Sequence, residues 1–209
     1  LLFFVCFILY IVISKHHLDV QIKQAQTKKT QVSQVTTKKK KEETPSDEPE
    51  EELLNKPIVD LSGWQLPSEI DYDTLSTNIS GAIIRVHSGA QAKKENVATH
   101  LNGLDKSFAT HIQEFQKRGI PVAVYAYIAA GNIKEMEKEA ESFYKASSKY
   151  KPTFYWLDVE EKTMGDMNAG IEAFRAKLES LGAQNIGIYI GTYFMEEHSI
   201  STEKFTAVW

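Results

Sequence analysis

Residues 153–160 read Thr-Phe-Tyr-Trp-Leu-Asp-Val-Glu, an apolar run that ends in two acids, Asp158 and Glu160. Alternate residues of a strand share a face. Both carboxylates therefore project to one side, with Trp156 just behind them. Acids at the end of a segment otherwise built for burial are costly unless a cleft solvates them or the protein uses them there. A strand carboxyl end is also where α/β folds place their chemistry. Such a pair suits hydrolysis: one carboxyl supplies a proton while the other meets positive charge.

Other strand-like runs also end in polar or aromatic residues. Asp60 closes Pro57–Ser62, Arg85 and His87 close Gly81–His87, Tyr125 and Tyr127 lie in Pro121–Ile128, and Tyr189 lies in Asn185–Ile190. In a parallel barrel these ends converge on one rim. Acids with tyrosines and a tryptophan make a sugar-like site, with carboxylates for acid/base work and aromatic faces for stacking. Each element alone has an ordinary explanation. A strand-end Asp can cap a turn, and Tyr125 and Tyr127 can be core residues with exposed hydroxyls. Arg85 reads as a partner for a nearby acid, although it stands with the substrate-binding candidates.

The elements that would position these residues alternate along the chain. Between the strands, Phe108, Ile112 and Phe115 recur at helical spacing before Gly119. Met136, Ala140 and Phe143 repeat that spacing, and Ile171, Phe174, Leu178 and Leu181 form a stripe closed by Gly182. Strands alternating with helices imply βαβ units and a parallel sheet. Five or six units over 57–209 suggest most of a barrel. A sixth run, Phe205–Trp209, begins as a strand, so the carboxyl end of the domain is expected to be missing. No internal repeat is visible.

The amino-terminal quarter has another texture. Residues 1–14 carry no charge. As a helix they would span about 21 Å, short of a hydrocarbon core of roughly 30 Å. They read as part of a longer transmembrane or signal segment. An uncleaved anchor is preferred, because Ser14-Lys15-His16-His17 makes a poor cleavage site. The single cysteine, Cys6, lies within this run, so no disulfide framework is expected in the folded part. Residues 15–56 read as a disordered charged linker: 18–56 lack aromatics, with Lys38–Lys41 basic and Glu42–Glu52 acidic. A flexible chain of that length spans roughly 35 Å. The net charge of −4 gives no electrostatic footprint for nucleic acid.

Several motifs occur together in one order: Pro57-Ile58-Val59-Asp60-Leu61-Ser62, Ala82-Ile83-Ile84-Arg85-Val86, the Asp105-x-x-Phe108 helix start, Gly119 to Tyr127, Trp156-Leu157-Asp158-Val159-Glu160 and Ile186-Gly187-Ile188-Tyr189. The set resembles glycoside hydrolase family 25, the muramidases that cut peptidoglycan. The resemblance implies an irregular (β/α) barrel of the TIM type and hydrolysis of the β-1,4 bond between N-acetylmuramic acid and N-acetylglucosamine. It implies no metal and no cofactor. By position Glu160 becomes the general acid, with Asp158 and Asp60 as supporting acids. Arg85, Tyr125, Tyr127, Trp156 and Tyr189 are the candidates for substrate binding.

The residues themselves suggest the same division of labour. A neighbouring carboxylate and an apolar wall raise a Glu pKa, and Asp158 and Trp156 are placed to do this to Glu160. Strand geometry sets the two β-carbons about 6.6 Å apart. That lies between the separations usual for retaining and inverting sites, so stereochemistry stays open; the resemblance favours retention with substrate assistance. His111 stands where the family commonly has Asn, and reads as a helix histidine on a packed face. The expected partner is peptidoglycan, with a membrane contact through the amino-terminal segment. A monomer is expected, at the outer face of a bacterial cell or secreted to its wall. Two other readings compete. A chitinase-type pattern would need acids where Thr153 and Trp156 stand. A degenerate, non-catalytic module would hold wall glycan without cleaving it.

Overall fold

The computed structural model describes residues 55–89 and 95–209. The apolar segment 1–14 and all but the last two residues of the linker lie outside the described residues. Among the described residues no helix is long and apolar enough to cross a membrane.

The fold is α/β. Six strands, β1 (Ile58–Leu61), β2 (Gly81–His87), β3 (Val122–Tyr127), β4 (Tyr155–Val159), β5 (Ile186–Ile190) and β6 (Ala207–Val208), form one sheet in chain order. Every neighbouring pair is parallel. The helices are α1 (Tyr72–Thr77), α2 (Phe108–Gln116), α3 (Ile133–Ser147), α4 (Met167–Leu181) and α5 (Thr192–Glu197). A parallel sheet with helical crossovers in sequential order is consistent with a (β/α) barrel-like fold.

Alternation along the strands separates two faces. Ile84, Val86, Val124, Ala126, Leu157, Val159 and Ile188 fill the buried core with the inner faces of the helices. Phe115, Phe143 and Phe174 are fully buried there, each contributing about 1.5 to 3 kcal/mol. Phe143 of α3 meets Phe174 of α4 at 6.4 Å and Tyr155 of β4 at 5.8 Å between ring centroids. The expected stripes face this core, and their ends carry the expected stops. Asn132 and Asp166 accept N–H bonds from Glu135 and Ala169 as N-caps of α3 and α4. Past α4, Gly182 takes φ +107° and Ala183 N–H bonds back to Leu178, a left-handed stop that favours glycine.

The remaining strand positions point the other way. Register sets Arg85 beside Tyr125, Tyr125 beside Trp156, Tyr127 beside Asp158, and Asp158 beside Tyr189. Four of these, Tyr125, Trp156, Asp158 and Tyr189, line the site. Most strands are shorter than their apolar runs, β4 by three residues, so Glu160 lies just past β4 rather than in it. β6 pairs with β5 through Ala207 and Val208, flanked by the Thr206 N–H bonded to Ile186 and the Trp209 N–H bonded to Ile188.

Candidate active site

At the carboxyl side of the strands lies a cavity of about 250 Å³. Three carboxyls line it: Asp60 from β1, Asp158 from β4, and Glu160 just after β4. Tyr125, Trp156 and Tyr189 form its aromatic wall, joined by Ile83 and Trp209. Six of the eight site candidates thus meet in one cleft.

Asp158 is the acid most altered by its surroundings. Its carboxyl is pushed up to about 7, first by burial, then by the charge of Glu160 and a hydrogen bond to it, and by Asp60, against the opposing pull of Arg85. Two carboxyls can share a hydrogen bond only if one carries a proton, so the Asp158–Glu160 pair holds one near neutral pH. The structure gives an upward shift to Asp158, for which the sequence reading held no such expectation. The reason is depth. Asp158 sits within the sheet, with its Oδ1 buried and unbonded, whereas Glu160 opens to solvent. Asp60 also rises, through burial, although the Tyr125 hydroxyl bonds it and Arg85 pulls the other way. Asp60 faces the open cleft, yet enough protein surrounds it for desolvation to lead. Burial, with the charge and hydrogen bond of Asp60, raises Tyr125.

The other two candidates stand apart from the lining. Arg85 Nε donates to Asp105 Oδ2 at 3.0 Å, the acid partnership anticipated for it. The Tyr127 hydroxyl donates to Glu161 Oε1 at 3.1 Å and is pushed up to about 12, chiefly by burial and then by Glu161. His111 is fully buried. Its ring bonds the Tyr72 hydroxyl at 2.6 Å and the Gln65 carbonyl at 3.0 Å, and burial lowers its pKa. Its place is structural, as its position on a packed helix face suggested.

Two contributors escaped the sequence reading. Trp209 lines the cleft and sets its ring edge-on to Trp156 at 6.2 Å and to Tyr189 at 5.4 Å. Extending the strand-end rule to the Phe205–Trp209 run would have found it. Asp105 was read as part of a helix start, yet α2 begins only after Ser107 and the Asp105 carboxylate bonds Gly63 and Arg85 instead. Among the described residues no cluster of three or more His, Cys, Asp or Glu side chains could hold a metal ion.

The family model "Glycosyl hydrolases family 25" matches residues 59–209, a span that contains the whole sheet apart from Ile58 and all three cleft acids. The chain belongs to this family. A family 25 protein is a glycosidase. The chain is 66% identical to GHIP, a glycosyl hydrolase 25 of Streptococcus pneumoniae described as a virulence factor participating in host cell invasion. That likeness covers 76% of this chain and 69% of the other, with a TM-score of 0.74. The catalytic domain of endolysin ply40, from bacteriophage P40 of Listeria monocytogenes, matches at 24% identity over 71% of this chain and 68% of that one, TM-score 0.58. The modular autolysin LytC of Streptococcus pneumoniae, solved with a synthetic peptidoglycan ligand, matches at 21% identity over 68% of this chain and 33% of that one, TM-score 0.52. These last two share the fold. Among curated proteins, none matches the chain significantly.

Proposed function

We propose that this family 25 glycosidase is a muramidase, cleaving the β-1,4 bond between N-acetylmuramic acid and N-acetylglucosamine in peptidoglycan. The observation that carries the reading is the meeting of Asp60, Asp158 and Glu160 in one aromatic-walled cleft. The titration of Asp158 near 7 supports it, since it gives the acid pair a proton to spend near neutral pH. Residues 57–209 form the catalytic domain, an irregular (β/α) barrel of the TIM type. It acts on the cell wall outside the bacterial membrane, carried there by an amino-terminal segment and a linker.

Glu160 is the general acid, because it is the member of the pair that opens to solvent and can reach a bound sugar. On binding, the shared proton moves to Glu160 and leaves Asp158 as a carboxylate. Asp158 then holds the N–H of the 2-acetamido group and turns its carbonyl oxygen toward the anomeric carbon. That oxygen forms the new bond as the glycosidic bond breaks, and the Glu160 proton goes to the departing oxygen. Water, deprotonated by Glu160, then opens the cyclic intermediate, so configuration is retained. Asp60, steadied by the Tyr125 hydroxyl, adds negative charge opposite the oxocarbenium-like centre. Trp156, Tyr189 and Trp209 offer the faces on which sugar rings stack.

Incubating the protein with purified peptidoglycan and analysing the reducing ends tests this directly. Fragments ending in reduced N-acetylmuramic acid after borohydride treatment are the expected result. Reduced N-acetylglucosamine ends, or no new ends at all, would defeat it.

A further inference from the structure

Asp105 is the acid beside the cleft that the proposed chemistry leaves unused. Its side chain is fully buried, unlike those of Asp60 and Glu160. One oxygen, Oδ2, accepts both the Gly63 N–H at 2.6 Å and Arg85 Nε at 3.0 Å. The Asp105 backbone N–H bonds the Val86 carbonyl at 3.0 Å, and the residue bridges to Thr99. A single carboxylate thus ties the turn after Asp60 to the strand that carries Arg85. The approach demands glycine at 63, since a Cβ there would stand 2.2 Å from the Ala98 carbonyl oxygen.

Stability alone is a weak reason for such a pair. Two charges removed from water recover little more than their desolvation cost, and apolar residues of equal volume often do as well. What the pair achieves is placement. The guanidinium held by Asp105 acts electrostatically on Asp60, Tyr125 and Asp158. Arg85 itself does not line the cavity.

We infer that Asp105 and Arg85 are a positioning pair: Asp105 fixes the guanidinium behind the cleft, and the fixed cation sets the charge balance of Asp60 and Asp158 within the cluster they form with Glu160. This rests on the reading of those three acids as the reacting cluster. The groups that face Asp158 are Asp60 from β1, Arg85 from β2, Tyr125 and Tyr127 from β3, Glu160 beyond β4, and Tyr189 from β5. Arg85 is the cation of this set. Removing its charge raises the carboxyls, whereas removing the charge of Asp105 leaves the cation unopposed and lowers them. A packing lesion has no reason to act with opposite signs.

The test is a carbon-13 NMR titration of the Asp158 carboxyl in the full chain without substrate, assigned with Asp158→Asn. Arg85→Gln is expected to move it up by about one unit, Asp105→Asn down by about half a unit, and Arg85→Lys to leave it near the wild-type value. The alkaline limb of peptidoglycan cleavage should move in the same directions. Shifts of one sign in Arg85→Gln and Asp105→Asn, or none in variants whose circular dichroism is native, would overturn the inference. If Asp105→Asn does not fold, Arg85→Gln against Arg85→Lys decides: equal titrations refute it. Because the titration is read without glycan, a wild type inactive on peptidoglycan would count against the muramidase reading alone.

Discussion

Trp156 lies over the bare Cα of Gly187, its neighbour across the β4–β5 register. A Cβ built on that glycine would stand 2.5 Å from Cε3 and 2.6 Å from Cζ3 of the indole. Real Cβ atoms are not found so close, and the obstacle is a rigid ring that also stacks on Phe154 at 5.5 Å. Gly187→Ala should therefore push the indole toward the cleft and cost about 1 to 3 kcal/mol of stability. Thermal unfolding would show the loss. Kinetics on soluble glycan fragments should show KM rising more than kcat falls, because a binding wall moves while the acids stay.

Glu160→Gln keeps the shape and a hydrogen-bonding group but cannot deliver a proton. Cleavage is expected to fall by about 10²- to 10⁴-fold, with glycan binding and circular dichroism unchanged. Near-normal turnover in this variant would remove Glu160 from the acid role.

Asp158→Asn should cut activity and yet stabilise the fold. The carboxyl of Asp158 rises from 3.8 to about 7 on folding, so the folded protein binds the extra proton and stability falls as pH climbs through that window. Fully buried, the shift would be worth about 4 kcal/mol; with Asp158 partly open to the cleft, about 1 to 2 kcal/mol is expected. Denaturant unfolding at pH 8 should show the gain, and at pH 4 it should vanish.

His87 provides the opposing slope. Burial lowers its pKa from 6.5 to about 4, so the folded protein keeps the ring neutral and loses stability as pH falls through that interval, by up to about 3 kcal/mol. In the wild type the Asp158 and His87 effects partly cancel. Asp158→Asn should unmask the histidine, giving a steeper loss between pH 6.5 and 4 than the wild type shows. Parallel curves for the two proteins would contradict this.

Strand alternation made much of this site legible in advance. Asp158 and Trp156 share a face because they are two apart on β4, and Tyr125 and Tyr189 join them because parallel register aligns strand ends. Alternation fixes a face but not a partner. Tyr127 has the same parity as Tyr125, yet its hydroxyl turns to Glu161. The depth of Asp158 relative to Glu160 depended on where β4 ends, and an apolar run does not mark that residue. Asp105 was opaque for another reason. Its partners Gly63 and Arg85 are distant in sequence, and an Asp shortly before a helix reads locally as a cap.

The strands stand in the sheet in the order in which they occur in the chain. During synthesis the sheet can therefore grow outward, each new strand docking on an edge already present. Asp60 leaves the ribosome with the first strand, but Asp158 and Glu160 arrive only with and after the fourth. A nascent or clipped chain that stops short of β4 carries Arg85 and Asp105 but only one of the three cleft acids. The three-acid cleft therefore comes into being only in the later half of the sheet.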